Sequence, residues 1–360
     1  MSTAFVLRQG RLTYNSAIAT SRHVTYRYST SNKKSSTTIE RSFKALSSSF
    51  SSFEAPPPPS SNGEAVYNDI DLCKSNATEI STSALRNNDP DAVFVVTGAS
   101  RGIGLQHVKS LMERTHGHIV ACCRSIDEKD GALFQYLSSL SLNDKKRINA
   151  VELDVEDQKS IDALVVTMKE KLLFDRVDVL YNVAGLLGDG TNTPGPERSI
   201  SKIDRDWVDK TLGVNLVGPL MLSQALAPFM KTTQPYASKK ELNKTKAVRN
   251  KSIIVNISAR VGSISDNQLG GWYSYRMSKA ALNQVTRTMA HELRRQGTWT
   301  IALHPGTTDT DLSKPFQRNV KEGRLFPVEF TVKQLLDVID SMEDQHSGGF
   351  FDWSGKALPF

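Results

Sequence analysis

The 360-residue chain is 39% hydrophobic, enough to bury one large core of about 250 residues with segments to spare. Its net charge of +7 lies wholly in residues 1–53, where eight Lys and Arg face Glu40 alone, and the neutral remainder excludes a basic nucleic-acid surface. Three cysteines, Cys73 and the adjacent Cys122 and Cys123, frame neither a disulfide scaffold nor a metal site, and no apolar run approaches a membrane span.

Residues 1–39 hold no acidic side chain and are rich in Arg, Ser and Thr, the composition of an organelle transit peptide. Arg27-Tyr28-Ser29 resembles a mitochondrial processing site with cleavage before Ser29. Residues 1–29 therefore read as a leader to the matrix, with plastid and cytoplasm as alternatives. Residues 30–90 read as a connection: Ser-rich, stiffened by prolines at 56–59, then polar with room for one short helix.

From residue 91 strands and helices alternate. Val93-Phe-Val-Val is a strand buried on both faces. It breaks at Thr97-Gly98, and Leu105, Val108 and Met112 then keep helical spacing. A strand that turns through Gly98, Gly102 and Gly104 into a helix aims free backbone N–H groups at whatever lies above the turn. That is an anion site suited to a dinucleotide, and Ser100, Arg101 and Ile103 complete it. Further strands are predicted over 118–123, 148–155, 177–183, 252–258 and 300–304, with a short seventh over 348–351. Helices are predicted over 127–139, 161–172, 204–230 and 275–294, with a last one through Val332, Leu335, Leu336 and Ile339. Residues 231–251, with seven bases and one acid, read as a solvated insertion. The alternation predicts an α/β fold, a Rossmann-type doubly wound parallel sheet in one domain over 91–360, with ligands at the strands' carboxyl ends.

The choice of dinucleotide is read after the second strand. An acid about 20 residues past the glycines grips a ribose hydroxyl, whereas a base there favours a 2′-phosphate. Arg124 stands there, followed by Ser125, and Arg101 adds a second guanidinium. NADP(H) is therefore preferred, with NAD(H) as the alternative. Asp127 and Glu128 oppose this and are read as the acidic first turn of the next helix. Tyr275 and Lys279 stack at i and i+4 on one helix face. A free phenol has a pKa of about 10, and a nearby ammonium is expected to lower it, giving a general acid for a carbonyl oxygen.

Thr97-Gly98-x-x-x-Gly102-x-Gly104, Asn182-x-Ala184-Gly185, Tyr275-x-x-x-Lys279 and Pro305-Gly306, in that order, resemble the short-chain dehydrogenase/reductase family over residues 91–360. Ser263-Ile-Ser-Asp-Asn267, Gly270-Gly-Trp-Tyr-Ser-Tyr275 and Phe351-Asp-Trp-Ser-Gly355 are similar to the branch of bacterial C-factor signalling proteins and sniffer-type carbonyl reductases. The resemblance implies a carbonyl reductase, or the reverse alcohol dehydrogenase, acting on a small molecule. It implies Tyr275 as proton donor, Lys279 on the ribose hydroxyls, and Asn215 steadying a proton relay through water. Asp154, with Val155 beside it, would meet the adenine. Asn182, Ala184 and Gly185 would line the ribose, Pro305, Gly306 and Thr308 the nicotinamide, and Thr310 would add a hydroxyl. Homodimers or homotetramers through the helices near Asn215 and Tyr275 are implied as well.

One departure matters. The family's catalytic Ser position holds Ala259, and Val183 replaces the commoner second Asn. Adjacent strand residues face opposite ways, so Ser258 becomes the catalytic hydroxyl only if the strand end bulges; Ser263 is a further hydroxyl able to swing in. The departure sets a second reading beside the enzyme, a cofactor-binding sensor of the C-factor type. The substrate pocket falls in residues 186–200 and 309–324, where Pro315 and Phe316, with Phe326 just beyond, predict apolar walls.

Overall fold

In a computed structural model, residues 67–72, 82–126, 131–232 and 251–360 are described. The predicted leader, the linker to residue 63, Cys73, Asp127, Glu128 and the basic insertion between 233 and 250 lie outside the described residues.

In chain order come α1 (Thr82–Asn87), β1 (Val93–Thr97), α2 (Gly102–Arg114), β2 (His118–Cys123), α3 (Ala132–Ser139), α4 (Leu142–Lys145) and β3 (Ile148–Glu152). They are followed by α5 (Gln158–Val166), β4 (Val179–Asn182), α6 (Arg205–Leu212), α7 (Gly218–Leu226), β5 (Ser252–Ile257) and α8 (Tyr273–Leu293). The chain closes with β6 (Thr298–His304), β7 (Thr307–Thr308), β8 (Leu325–Phe326), α9 (Val328–Asp340) and β9 (Phe350–Asp352). Seven strands form one sheet in the order β3-β2-β1-β4-β5-β6-β9, parallel at every pairing. The order reverses between β1 and β4, so the crevice opens at their carboxyl ends.

Each predicted strand forms, the third and fourth shortened by three residues each and the fifth and seventh by one. The third stops at Glu152 because Asp154 turns back, its Oδ1 accepting from the Glu156 N–H at 3.0 Å. Ahead of the fourth, the Asp178 carboxylate is spent on the Val93 N–H at 2.9 Å. β7 and β8 make a small parallel pair that closes the base of the stretch 309–324 read as a substrate-pocket loop.

All five residues of β1 are buried. Phe94 and Val96 pack on one face with Val108, Leu335 and Ile339, while Val93 and Val95 pack on the other with Leu164, Leu222 and Leu226. Full burial of each such side chain contributes about 1.5–3 kcal/mol, which is why the run is apolar without alternation. Within the helical run Arg205–Met230 one 18-residue window has a mean hydropathy of 1.3, so that by length and composition alone the run is apolar enough to cross a membrane. In the fold Trp207, Thr211, Leu222 and Leu226 are buried within the protein.

Part of the stretch read as polar connection is held by the far end of the chain. Tyr67 meets Phe351 edge-on at 6.0 Å, and the Ile70 N–H donates to Gly355 O at 2.7 Å. Arg86 of α1 pairs with Asp340 of α9 at 3.2 Å.

Candidate active site

The glycine turn is closed by sterics. A Cβ on Gly104 would lie 2.1 Å from Gly98 O, so no larger residue fits there. Thr97 locks the turn to the neighbouring strand: its hydroxyl donates to Tyr181 O at 3.3 Å and accepts from the Val183 and Ala184 N–H groups at 2.9 and 3.0 Å. No side chain caps α2, so the N–H groups of its first turn are left for an anion.

Beside the turn a cavity of about 180 Å³ is lined by Ser100, Arg101, Ser125, Ile126, Leu133 and Leu137. Arg101 and Ser125, both read for the 2′-phosphate, thus share one cavity. Arg124 is exposed, outside that lining and without an ion pair among the described residues. Asp311 approaches Arg101 at 3.9 Å, but both are more than two-thirds exposed and the pair contributes at most about 1 kcal/mol. Thr310 lies over the turn, its Cγ2 3.4 Å from a Cβ placed on Gly102.

Other expected contacts are turned inward. The Asn182 side chain is buried, donating to Asn256 Oδ1 at 2.8 Å and Ser223 Oγ at 3.3 Å, which leaves the backbone at 183–185 for the crevice. Thr308, also buried, shares its hydroxyl with Thr331 at 3.0 Å.

Tyr275 is the third residue of α8, and its phenol makes no hydrogen bond among the described residues. Lys279 is buried; its Nζ donates to Ile257 O at 2.8 Å and stands 5.7 Å from the Tyr275 ring centre. Asn215 sits in a π turn (Gly213–Val217) that joins α6 to α7. Its Nδ2 donates to Leu186 O at 2.7 Å and Ser278 Oγ at 3.2 Å, and its Oδ1 accepts from the Leu186 N–H at 2.7 Å. Asn215 therefore clamps the loop after β4 to the helix of Tyr275.

The profile of the short chain dehydrogenase family matches residues 92–321. The chain belongs to that family. It is 33% identical over 184 residues to the C-signal protein of Myxococcus xanthus, an alignment covering 51% of this chain and 93% of that protein. The NADPH-bound carbonyl reductase from chicken fatty liver is 30% identical, with a TM-score of 0.61 over 75% of this chain and 99% of the other. The carbonyl reductase Sniffer of D. melanogaster is 27% identical, with the same TM-score of 0.61 over 75% of this chain and 99% of its own.

In this short chain dehydrogenase the two serines read as substitutes for the missing hydroxyl both make hydrogen bonds to residues other than Tyr275. The ladder runs on regularly through the Ser258 N–H to Leu303 O at 2.8 Å, and its buried Oγ donates to Asn283 Oδ1 at 2.6 Å, one turn beyond Lys279. Without a bulge the period-two rule holds and the hydroxyl faces α8. Ser263 Oγ is occupied as well, accepting from the Asp266 N–H at 3.1 Å. The pKa expectation also reverses: burial pushes the Tyr275 phenol up, and pulls Lys279 from its ordinary 10.5 down to about 8. Desolvation is the cause of both shifts.

That shift gives the dehydrogenase a pH signature. Below pH 8 Lys279 is charged in both states and the fold bears the full cost of burying it. As pH rises from 8 towards 10.5 the unfolded chain keeps the proton, and the cost is relieved. Denaturant unfolding of Lys279→Met is therefore expected to show a stability advantage over the natural protein that shrinks by about 3 kcal/mol between pH 7 and 10.5.

Sequence reading missed Trp272. Its backbone is left-handed at φ 56° and ψ 43°. The indole lies edge-on to Tyr275, ring centres 6.2 Å apart, and against Phe316 at 5.1 Å, forming an aromatic wall. The signal was the Gly270-Gly271 pair, which permits a sharp reversal before the helix.

Proposed function

We propose that this protein reduces a small-molecule carbonyl with NADPH, Tyr275 giving the proton to the oxygen. One observation carries the reading: among the described residues the Tyr275 phenol has no hydrogen-bond partner, and its ring adjoins the Lys279 ammonium. A phenol so placed is free to give its proton to a carbonyl oxygen in reduction, and to serve the reverse step as its conjugate base. When bound, a reduced nicotinamide supplies the hydride; the residues of this chain do the rest. The uncapped first turn of α2 and the Gly98–Gly104 closure suit a pyrophosphate, and Arg101 and Ser125, which line one cavity, suit a 2′-phosphate, with the exposed Arg124 next to Ser125 in the chain as a further cation. Lys279 fits the ribose side, beside Gly185. Asn215 holds the loop, and Trp272 with Phe316 shields one wall from water. The likeness to an NADPH-bound carbonyl reductase supports the same reading.

The test is a titration with NADPH and NADH followed by turnover on aldehydes and quinones. NADPH is expected to bind about tenfold tighter or more, the worth of a charge-assisted contact to phosphate. Absence of Tyr275-dependent NADPH oxidation across the panel would overturn the reading.

Ala259 favours a second reading, a cofactor-binding sensor. Its backbone is extended at φ −152° and ψ 147°, so serine is accommodated without strain. If the protein is an enzyme working without that hydroxyl, Ala259→Ser is expected to raise kcat about tenfold or more. Activity in Ala259→Ser alone would identify the natural chain as the sensor.

Two further parts of the proposal concern the whole protein. Self-association through the helices of Asn215 and Tyr275 is consistent with exposed Val217, Leu220 and Met277, and a sizing column tests it. Residues 1–29 are read as a matrix leader, tested by fusing residues 1–53 to a fluorescent reporter.

A further inference from the structure

The loop between β4 and α6 meets the start of α8 through one buried carboxylate. Glu197 is 3% exposed and accepts from the Ser274 N–H at Oε2 (3.2 Å) and from the Ser274 hydroxyl at Oε1. Its backbone carbonyl accepts from the Trp272 N–H at 2.5 Å. No cation pairs with it among the described residues, so the helix end and that hydroxyl compensate its charge.

α8 has no cap of its own. Trp272 occupies the capping position and makes no side-chain hydrogen bond to the helix. An indole has no oxygen with which to take an orphan N–H. Glu197 supplies the missing acceptor from 77 residues upstream, and its charge suits the positive end of the helix. Ser274 is immediately followed by Tyr275.

We propose that Glu197 is a positioning residue for Tyr275, capping the helix from the loop that walls the crevice and so fixing the phenol against that wall. This rests on the reading of Tyr275 as proton donor. Asn215 clamps the loop at Leu186, and Glu197 clamps its other half; between them the loop and the proton donor hold one geometry.

The experiment compares Glu197→Gln, Glu197→Leu and Ser274→Ala with the natural protein. The readouts are kcat, the solvent deuterium isotope effect on kcat, NADPH affinity, and amide exchange across residues 272–276. Glu197→Gln keeps one acceptor and is expected to lower kcat about tenfold, and Glu197→Leu about a hundredfold. The isotope effect rises in both, because a misplaced donor slows proton delivery. NADPH affinity stays within about twofold, and amides at 272–276 exchange about tenfold faster. Where Glu197→Leu does not fold, Ser274→Ala gives the same pattern at smaller amplitude. Unchanged kcat and isotope effect in all variants, or a parallel loss of kcat and NADPH affinity, would overturn the inference. If the natural protein turns over no carbonyl, the functional proposal falls separately, and amide exchange at 272–276 no faster in Glu197→Gln would still overturn this one.

Discussion

Gly104→Ala is expected to cost about 3 kcal/mol of stability and to weaken NADPH binding by two orders of magnitude or more. The added methyl would stand 2.1 Å from Gly98 O and 2.7 Å from Gly98 C, both backbone atoms of the turn itself. Neither can retreat without moving Gly98, whose own φ of 65° and close approach to Ala184 leave no slack. Thermal unfolding and quenching of Trp fluorescence by NADPH read the two effects. Gly185→Ala is the steric contrast: its methyl would meet nothing nearer than 3.6 Å, and stability is expected to change by less than about 0.5 kcal/mol. Equal melting points for Gly104→Ala and the natural protein would contradict the account of the turn.

The second large effect belongs to Tyr275→Phe, expected to lower kcat by about 10³ to 10⁴ while NADPH affinity stays within about twofold. Only the oxygen is removed. The ring keeps its edge-on contact with Trp272 at 6.2 Å, and no group among the described residues loses a hydrogen-bond partner. A fall in affinity equal to the fall in turnover would point to a binding role for the phenol instead. Rapid-mixing measurements with bound NADPH separate the two.

What could be read beforehand was what local pattern determines. Val93–Thr97 is apolar at each step because both faces are covered, and the glycines follow at once, so strand, turn and helix were legible in one stretch. Tyr275 and Lys279 were legible because one helical turn joins them. The orientation of Ser258 also followed from strand period, and the structure settles against the bulge that would have rescued it. The direction of the phenol's shift was not legible. Sequence displays the charge four residues along but not how far each group is buried, and here burial decides. Asn182 was placed at the crevice by its motif, yet its side chain serves Asn256 and Ser223, which lie far along the chain. Glu197 had no local signal at all, because its partner Ser274 is 77 residues away and Trp272 disguises the helix start.

The most direct test of the central claim is isotopic. The protein is given an aldehyde or quinone that it turns over and NADPH deuterated on its transferable position, and the alcohol is analysed by mass. The natural protein is expected to place deuterium on the former carbonyl carbon, while Tyr275→Phe, still binding NADPH, yields at most about a thousandth as much in the same time. Alcohol without deuterium, or equal yield from Tyr275→Phe, would contradict it.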